Sequence, residues 1–305
     1  MQYCEYSYAK VNLHLEVLAK RQSGYHDILS LMMRTGLFDL LKLDDLKVFD
    51  GIPGDVAITI IPDGGDKASL LHDIPPEKNL ITKAAKAYFL KAGKSAEITV
   101  RIEKNIPAGG GLGGGSADAA SMLVLLNKAL GLLSSDDLHS AAVPVGADVP
   151  FCLYRTPAFC EGIGEIITPA ESSLDACTLI VNNGTHVDTG WAYGRIDAYH
   201  SEKAVKSADE LIREKEAIAE ALRSGDAGKL KDVCRNDFEE PVFAAFPSVK
   251  ELKTALYDMG ADMSIMTGSG STVIGLFKDR SKADKAYTRL IDKKVSAYVT
   301  EFVTG

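Results

Sequence analysis

The sequence has no long uninterrupted apolar run, no cysteine pair at metal-ligand spacing and no surplus of basic residues. Each absence removes a class of protein. A membrane helix needs on the order of 20 consecutive apolar residues, and the apolar stretch that begins at Ala119 is interrupted by Asn127 and Lys128. The cysteines, Cys4, Cys152, Cys160, Cys177 and Cys234, are scattered without CxxC spacing, so reduced thiols are expected rather than disulfides or zinc. The six histidines form no metal-binding pattern either. With 34 basic against 42 acidic side chains the formal net charge is -8, which argues against nucleic acid as a partner. An anionic ligand would have to be held locally, by backbone amides and one or two placed cations. The start, MQYCEYSYAK, has neither a basic region nor an apolar core, and a cytoplasmic protein is expected. What remains is an ordinary globular composition, 46% hydrophobic and 25% charged over 305 residues, enough for two domains.

Glycine is concentrated where the chain passes from a strand pattern into a helix pattern. Ile98, Val100 and Ile102 alternate with Thr99, Arg101 and Glu103, and Asp118–Leu133 is rich in helix formers. Between them lie Pro107, Ala108, Gly109, Gly110, Gly111, Leu112, Gly113, Gly114, Gly115, Ser116 and Ala117. A helix N-terminus offers unpaired N–H groups to an anion, and glycine lets a polyphosphate approach the backbone closely. Ser116 can cap the helix or offer its hydroxyl to a phosphate or a metal. Gly109, Gly111 and Gly114 satisfy GxGxxG, but no second strand ending in an acid follows, as a dinucleotide fold requires. Gly93-Lys94-Ser95 imitates a Walker A ending; Tyr88 stands where its first glycine should be.

Along the chain, Val11, Leu13, Leu15 and Val17 alternate with Lys10, Asn12, His14 and Glu16, giving a first strand with one polar face. Further strands are predicted at Leu37–Leu43, Val56–Ile61 and Cys177–Asn182, with a strand, glycine turn and strand over Met263–Phe277. Helices are predicted near Asn79–Ala92, Asp136–Ala142, Ala204–Ser224, Ala227–Asn236 and Ser248–Met259. This mixed order favours an α+β protein in two parts, with a boundary near Cys160–Pro169. Lys10 reads as a solvated lysine or as a cation for a developing anion. Asp148, in the apolar stretch Ala141–Leu153, reads as a turn cap or as a general base. Tyr25 and His26 suit a surface turn as well as a base-binding site, and Thr267–Ser271 suits a plain hairpin.

Taken jointly, three segments resemble the GHMP kinase superfamily in its order and spacing: Ala9–Ile28, the glycine loop, and Met266–Phe277. Lys78–Tyr88, Gly146–Leu153, Ala158–Glu165 and Asn236–Pro247 narrow the resemblance to a branch whose substrate carries a cytidine diphosphate and serves isoprenoid precursor synthesis. The resemblance implies a ribosomal protein S5 domain 2-like N-terminal domain over residues 1–160, rejoined by a final strand in 294–305, and a ferredoxin-like C-terminal domain over 161–293. It implies an ATP-dependent small-molecule kinase using Mg2+, with Asp148 as general base and Lys10 steadying the transferred phosphoryl group. By the same resemblance Pro107–Ala117 wraps the ATP phosphates and Asn79 contacts adenine. Asn12, Tyr25 and His26 hold the cytidine diphosphate substrate, and Tyr193 offers the cytosine an aromatic face. Ser116 is a candidate metal ligand; no metal set is otherwise placed. Another GHMP kinase, acting on homoserine, mevalonate or a sugar, and a non-catalytic ATP sensor remain as alternatives.

Overall fold

The computed structural model describes residues 3–71, 74–200, 206–293 and 295–303. Packing divides the chain into two compact units: Met1–Lys10, Leu37–Ala108 and Gly113–Tyr154 form the first, and Val11–Gly36, Gly109–Leu112 and Arg155–Gly305 the second. A single cut near residue 160 therefore describes only part of the division. The first two strands and the glycine loop each contribute to both units.

β1 (Tyr3–Lys20) is a strand as predicted, but both of its faces are buried from Ala9 to Val17, Lys10, Asn12, His14 and Glu16 included, and β2 (His26–Phe49) is far longer than the strand expected at Leu37–Leu43. Arg34 and Thr35, which interrupt its apolar pattern, are themselves buried, so polarity hid a continuous strand. β3 (Val56–Pro62), α1 (Leu80–Ala92) and β4 (Ser95–Glu103) form a strand–helix–strand unit whose strands pair in parallel, and β4 runs antiparallel to Leu40–Phe49 of β2. α2 (Gly114–Leu130), α3 (Ser135–Ala142) and the short α4 (Val149–Leu153) complete the first unit. Leu41, Ile98, Val100 and Ile102 of the sheet share its core with Tyr88 and Phe89 of α1 and Met122, Leu125 and Leu126 of α2.

In the second unit, β5 (Ala158–Glu161) and β6 (Ile166–Pro169) form a hairpin laid on Ser30–Met32 of β2. β7 (Cys177–Asn182) is followed by helices α5 (Thr189–His200), α6 (Ala208–Ser224), α7 (Ala227–Val233), α8 (Glu239–Ala245) and α9 (Pro247–Asp258). β8 (Met263–Met266), β9 (Val273–Phe277), α10 (Arg280–Asp292) and β10 (Ser296–Thr300) close the chain. The four later strands make an antiparallel sheet in the order β10-β7-β9-β8, and Leu179, Val181, Phe238, Leu256 and Phe277 lie in its core. Together the elements make an α+β fold.

β10 pairs along its length with β7, and beyond it Phe302 bridges Thr35 of β2, which lies within the residues 1–160 that a final strand is expected to rejoin, although packing groups both with the second unit. Lys294, Thr304 and Gly305 of the expected segment lie outside the described residues, as does Ala204 at the predicted start of α6. α6 instead begins at Ala208, where Ser207 and Glu210 form a reciprocal capping box.

Candidate active site

Lys10 leaves the end of its β1 segment in the first unit with its side chain buried, and its Nζ lies 3.2 Å from Oδ2 of Asp148. Asp148 stands before α4 but makes no capping hydrogen bond, and its side chain keeps about a third of its surface exposed. Its location alone favours the cap; the geometry shows a carboxylate aimed at an ammonium and reachable from solvent. Gly113 touches the same lysine. Its φ of 66° suits glycine, and a Cβ there would come within 2.9 Å of Lys10 Cγ. Gly113, not Ser116, is the N-cap of α2, so Gly114, Gly115 and Ser116 already belong to the first helical turn. Ser116 therefore does not cap; it belongs to the turn whose N–H groups lack helical partners. Leu112 and Ala117 are buried and anchor the loop by their side chains.

Immediately behind the loop is a charged cluster absent from the sequence reading. Lys104 Nζ donates to Asp39 and, at 2.7 Å, to Asp118 of α2; all three residues are buried. The second oxygen of Asp39 accepts the N–H groups of Asn105 and Ile106, the latter at 2.8 Å, so it holds the chain just before Pro107. A Cβ on Gly114 would stand 3.3 Å from Lys104 Nζ, which places the cluster against the helix start. Burial pushes the Asp118 carboxyl up to about 7, with the Lys104 ammonium pulling it down and the Asp39 carboxylate adding to the rise. Burial alone would lower the Lys104 pKa, yet the carboxylates of Asp118 and Asp39 hold it above the usual lysine value. The one available signal was an acid among alanines in a helix pattern.

Asn79 caps α1: its Oδ1 accepts the Ile81 N–H at 2.9 Å. It also lines a cavity of about 180 Å³ with Ile58, Ile60, Pro62, Ile74, Pro76 and Thr82. A flat apolar ring with polar edges suits such a lining.

In the second unit the middle of the glycine loop meets the second glycine turn backbone to backbone. A Cβ on Gly111 would stand 2.4 Å from the Thr267 carbonyl oxygen, and one on Gly268 would stand 3.0 Å from Gly111 Cα. The Thr267–Ser271 turn is thus more than a hairpin, and the close approach explains why both segments carry glycine. Asn12 secures the turn: its Oδ1 accepts Gly268 N–H at 3.1 Å, and its backbone N–H donates to Thr267 Oγ1 at 2.8 Å. Its Nδ2 donates to Ser30 Oγ. Asn12 therefore serves as a brace in this structure, tying the first motif to the third.

His26 is buried and stacks on Tyr193, with centroids 4.9 Å apart and planes 20° apart, while Tyr193 meets Phe238 edge-on. Tyr25 beside them is exposed. The structure thus brings His26 and Tyr193 together, and it adds Asp197, whose Oδ1 lies 2.6 Å from His26 Nε2. Although burial works against it, the hydrogen bonds from Lys20 and His26 hold the Asp197 carboxyl below its usual range.

One histidine does join an acidic group. His14, Glu16 and Glu214 bring potential ligand atoms together, contrary to the expectation that no histidine would. Their protons and charges suit ion pairing better than a metal. His14 Nδ1 accepts the Arg235 N–H at 3.3 Å, so the neutral ring carries its proton on Nε2, the atom that faces Glu214. Arg235 and Lys206 already pair with both glutamates. Burial, with Arg235 nearby, lowers the His14 pKa to about 3.

The family description of the GHMP kinases N terminal domain matches residues 79–156, and that of the GHMP kinases C terminal matches residues 218–296. Over 289 residues the chain is 35% identical to the 4-diphosphocytidyl-2-C-methyl-D-erythritol kinase of Syntrophotalea carbinolica, covering 92% of each chain. Its counterpart from a Geobacter species is 36% identical, covering 91% of this chain and 90% of that one. A crystal structure of 4-(cytidine 5'-diphospho)-2C-methyl-D-erythritol kinase superposes with a TM-score of 0.76 at 29% identity, over the whole of both chains. Homoserine kinase from Cytophaga hutchinsonii shares the fold, with a TM-score of 0.73 at 18% identity over all of this chain and 96% of that one. Among the described residues no helix is long and apolar enough to cross a membrane. Matching in both domains, and aligned nearly end to end with these relatives, the chain belongs to the GHMP kinases, in the family of the 4-diphosphocytidyl-2-C-methyl-D-erythritol kinases.

Proposed function

We propose that this protein transfers the γ-phosphoryl group of ATP to the 2-hydroxyl of 4-diphosphocytidyl-2-C-methyl-D-erythritol, a step toward isoprenoid precursors. The observation that carries the reading is the 3.2 Å contact between the buried Lys10 ammonium and the partly exposed Asp148 carboxylate, beside Gly113. Asp148 takes the proton of the substrate hydroxyl as its oxygen attacks the γ-phosphorus. Lys10 orients that carboxylate and offsets charge on the alkoxide and the transferred group; ADP leaves with the bridging oxygen's electron pair. Such a reaction depends on positioning and charge neutralisation more than on covalent chemistry.

The loop Pro107–Ala117 cradles the phosphates through the N–H groups of Gly114, Gly115 and Ser116, and the cavity at Asn79 takes the adenine. Asn12 supports the turn at Gly268, while Tyr25, His26 and Tyr193 hold the cytidine end. Magnesium, which neutralises charge on the β- and γ-phosphates, suits oxygen donors. The Ser116 hydroxyl at the start of α2 and the nucleotide's own oxygens fit that requirement, whereas the His14 group, already paired with Arg235 and Lys206, does not.

A coupled ADP-release assay tests the reading. ADP should appear with the cytidine diphosphate alcohol and not with homoserine, mevalonate or galactose. Preference for one of those three, or ATP binding with no alcohol-dependent ADP release, overturns it.

A further inference from the structure

Asn236 is buried in the second unit, and both hydrogens of its amide are committed to backbone. Its Nδ2 donates to the carbonyl oxygens of Met266 at 2.7 Å and Gly268 at 2.8 Å, and its Oδ1 accepts the Phe238 N–H at 2.9 Å. The N–H of the same Gly268 donates to Asn12 Oδ1. One glycine is thus held at its N–H by the first motif and at its carbonyl by Asn236. The two asparagines are in turn fixed relative to each other: Leu15 N–H donates to the Arg235 carbonyl and the Leu15 carbonyl accepts the Asp237 N–H, a parallel bridge that sets Asn236 beside β1. A plain hairpin turn is closed by its own backbone, as this one is by Thr267 N–H donating to the Thr272 carbonyl. Two outside asparagines on one glycine go beyond closure and fix the turn in place, the kind of support that a site built for accurate positioning needs.

The same turn carries the middle of the glycine loop. A Cβ on Gly110 would stand 2.5 Å from Thr272 Oγ1, and one on Gly111 would stand 2.4 Å from the Thr267 carbonyl oxygen. A contact with no room for a methyl group passes a displacement of one side on to the other. We infer that Asn236 is a positioning residue for the phosphate loop: through Gly268 it sets where Gly110 and Gly111 stand, and so the path the loop takes around a polyphosphate. The inference rests on the nucleotide reading above and adds to it a residue that touches no ligand.

Asn236→Asp keeps the side chain's shape and the oxygen that accepts the Phe238 N–H, but sets an oxygen against the Met266 and Gly268 carbonyls. In isothermal titration, Asn236→Asp should bind inorganic tripolyphosphate and ATP each about tenfold more weakly than the unmodified protein, the scale on which a residue without ligand contact shifts binding. In steady-state kinetics KM for ATP should rise, while KM for the cytidine diphosphate alcohol keeps the parent's value. Gly268→Ala, whose Cβ would stand 3.0 Å from Gly111 Cα, should lose the same affinity with both asparagines intact, and it carries the test alone if Asn236→Asp does not fold. Combining the two should cost no more than the larger single loss, because either one already frees the loop from the turn. Unchanged tripolyphosphate affinity in Asn236→Asp overturns the assignment even where Tm falls, because the asparagine would then support only the fold. Equal rises in both KM values overturn it, as do losses that add in the double variant. Failure of the unmodified protein to bind ATP overturns instead the nucleotide reading on which the assignment rests.

Discussion

Two lysines in the first unit face carboxylates, and the difference between them separates chemistry from support. Lys10 meets one aspartate whose side chain remains about one third exposed; Lys104 meets two, and all three members of that group are buried. A proton can be collected from a substrate only by a carboxylate that a substrate can touch. Asp148 meets that condition and Asp118 does not. Conversely, a sealed charge cluster with three hydrogen-bonded members fixes geometry, and here it holds Asn105 and Ile106 on one side of the loop and α2 on the other. The open pair is arranged for turnover, the closed trio for holding the phosphate loop still.

The largest effect should come from breaking the closed trio. Lys104→Met leaves two carboxylates buried without their cation, and losing one partner of a buried ion pair costs about 3–5 kcal/mol. Urea denaturation should show a loss of that size. A loss below about 1 kcal/mol, the range of surface pairs, would mean the cluster is wetter than the structure shows.

The open pair should respond in the opposite manner. Asp148→Asn and Lys10→Ala should each lower kcat by at least about 100-fold, the scale of losing general-base or electrostatic help, with Tm within a few degrees of the parent. Steady-state kinetics beside thermal melts decides the matter. Near-normal turnover in either variant removes that residue from the mechanism.

Much of this was legible before the structure. The glycine spacing located the phosphate loop because a helix start and a close backbone approach impose residue types locally. Lys10 and Asp148 were found as candidates, but the choice between cap and base depended on a side-chain direction that spacing does not encode. The grouping of Asp39, Lys104 and Asp118 is hidden for a different reason: 65 and 14 positions separate their pairs, and only Asp118, an acid among alanines, stands out alone. β2 is read short because burial of Arg34 and Thr35 is decided by tertiary neighbours, and the bracing of the Gly268 turn by Asn12 is not legible because its partners lie some 255 positions away. Local rules gave the loop; long-range contacts gave its supports.

The subtlest effect in the closed trio is its response to pH. In the trio, two carboxylates share one ammonium, and the folded Asp118 pKa is raised from 3.8 to about 7. The folded state therefore holds a proton that the unfolded chain releases between about pH 4 and pH 7, so this group's contribution to stability falls as pH rises through that window. Asp118→Asn removes the surplus charge and leaves Lys104 paired with Asp39 alone. Relative to the parent, its Tm should therefore climb steadily from pH 4 to pH 7 and level off above. His14, whose folded pKa of about 3 makes both proteins lose stability as pH falls below its ordinary value, cancels in that difference. Scanning calorimetry of Asp118→Asn and the parent across this range tests the shared proton: a flat difference would show that Lys104 keeps both carboxylates ionised, and the trio would then be balanced by charge rather than by a shared proton.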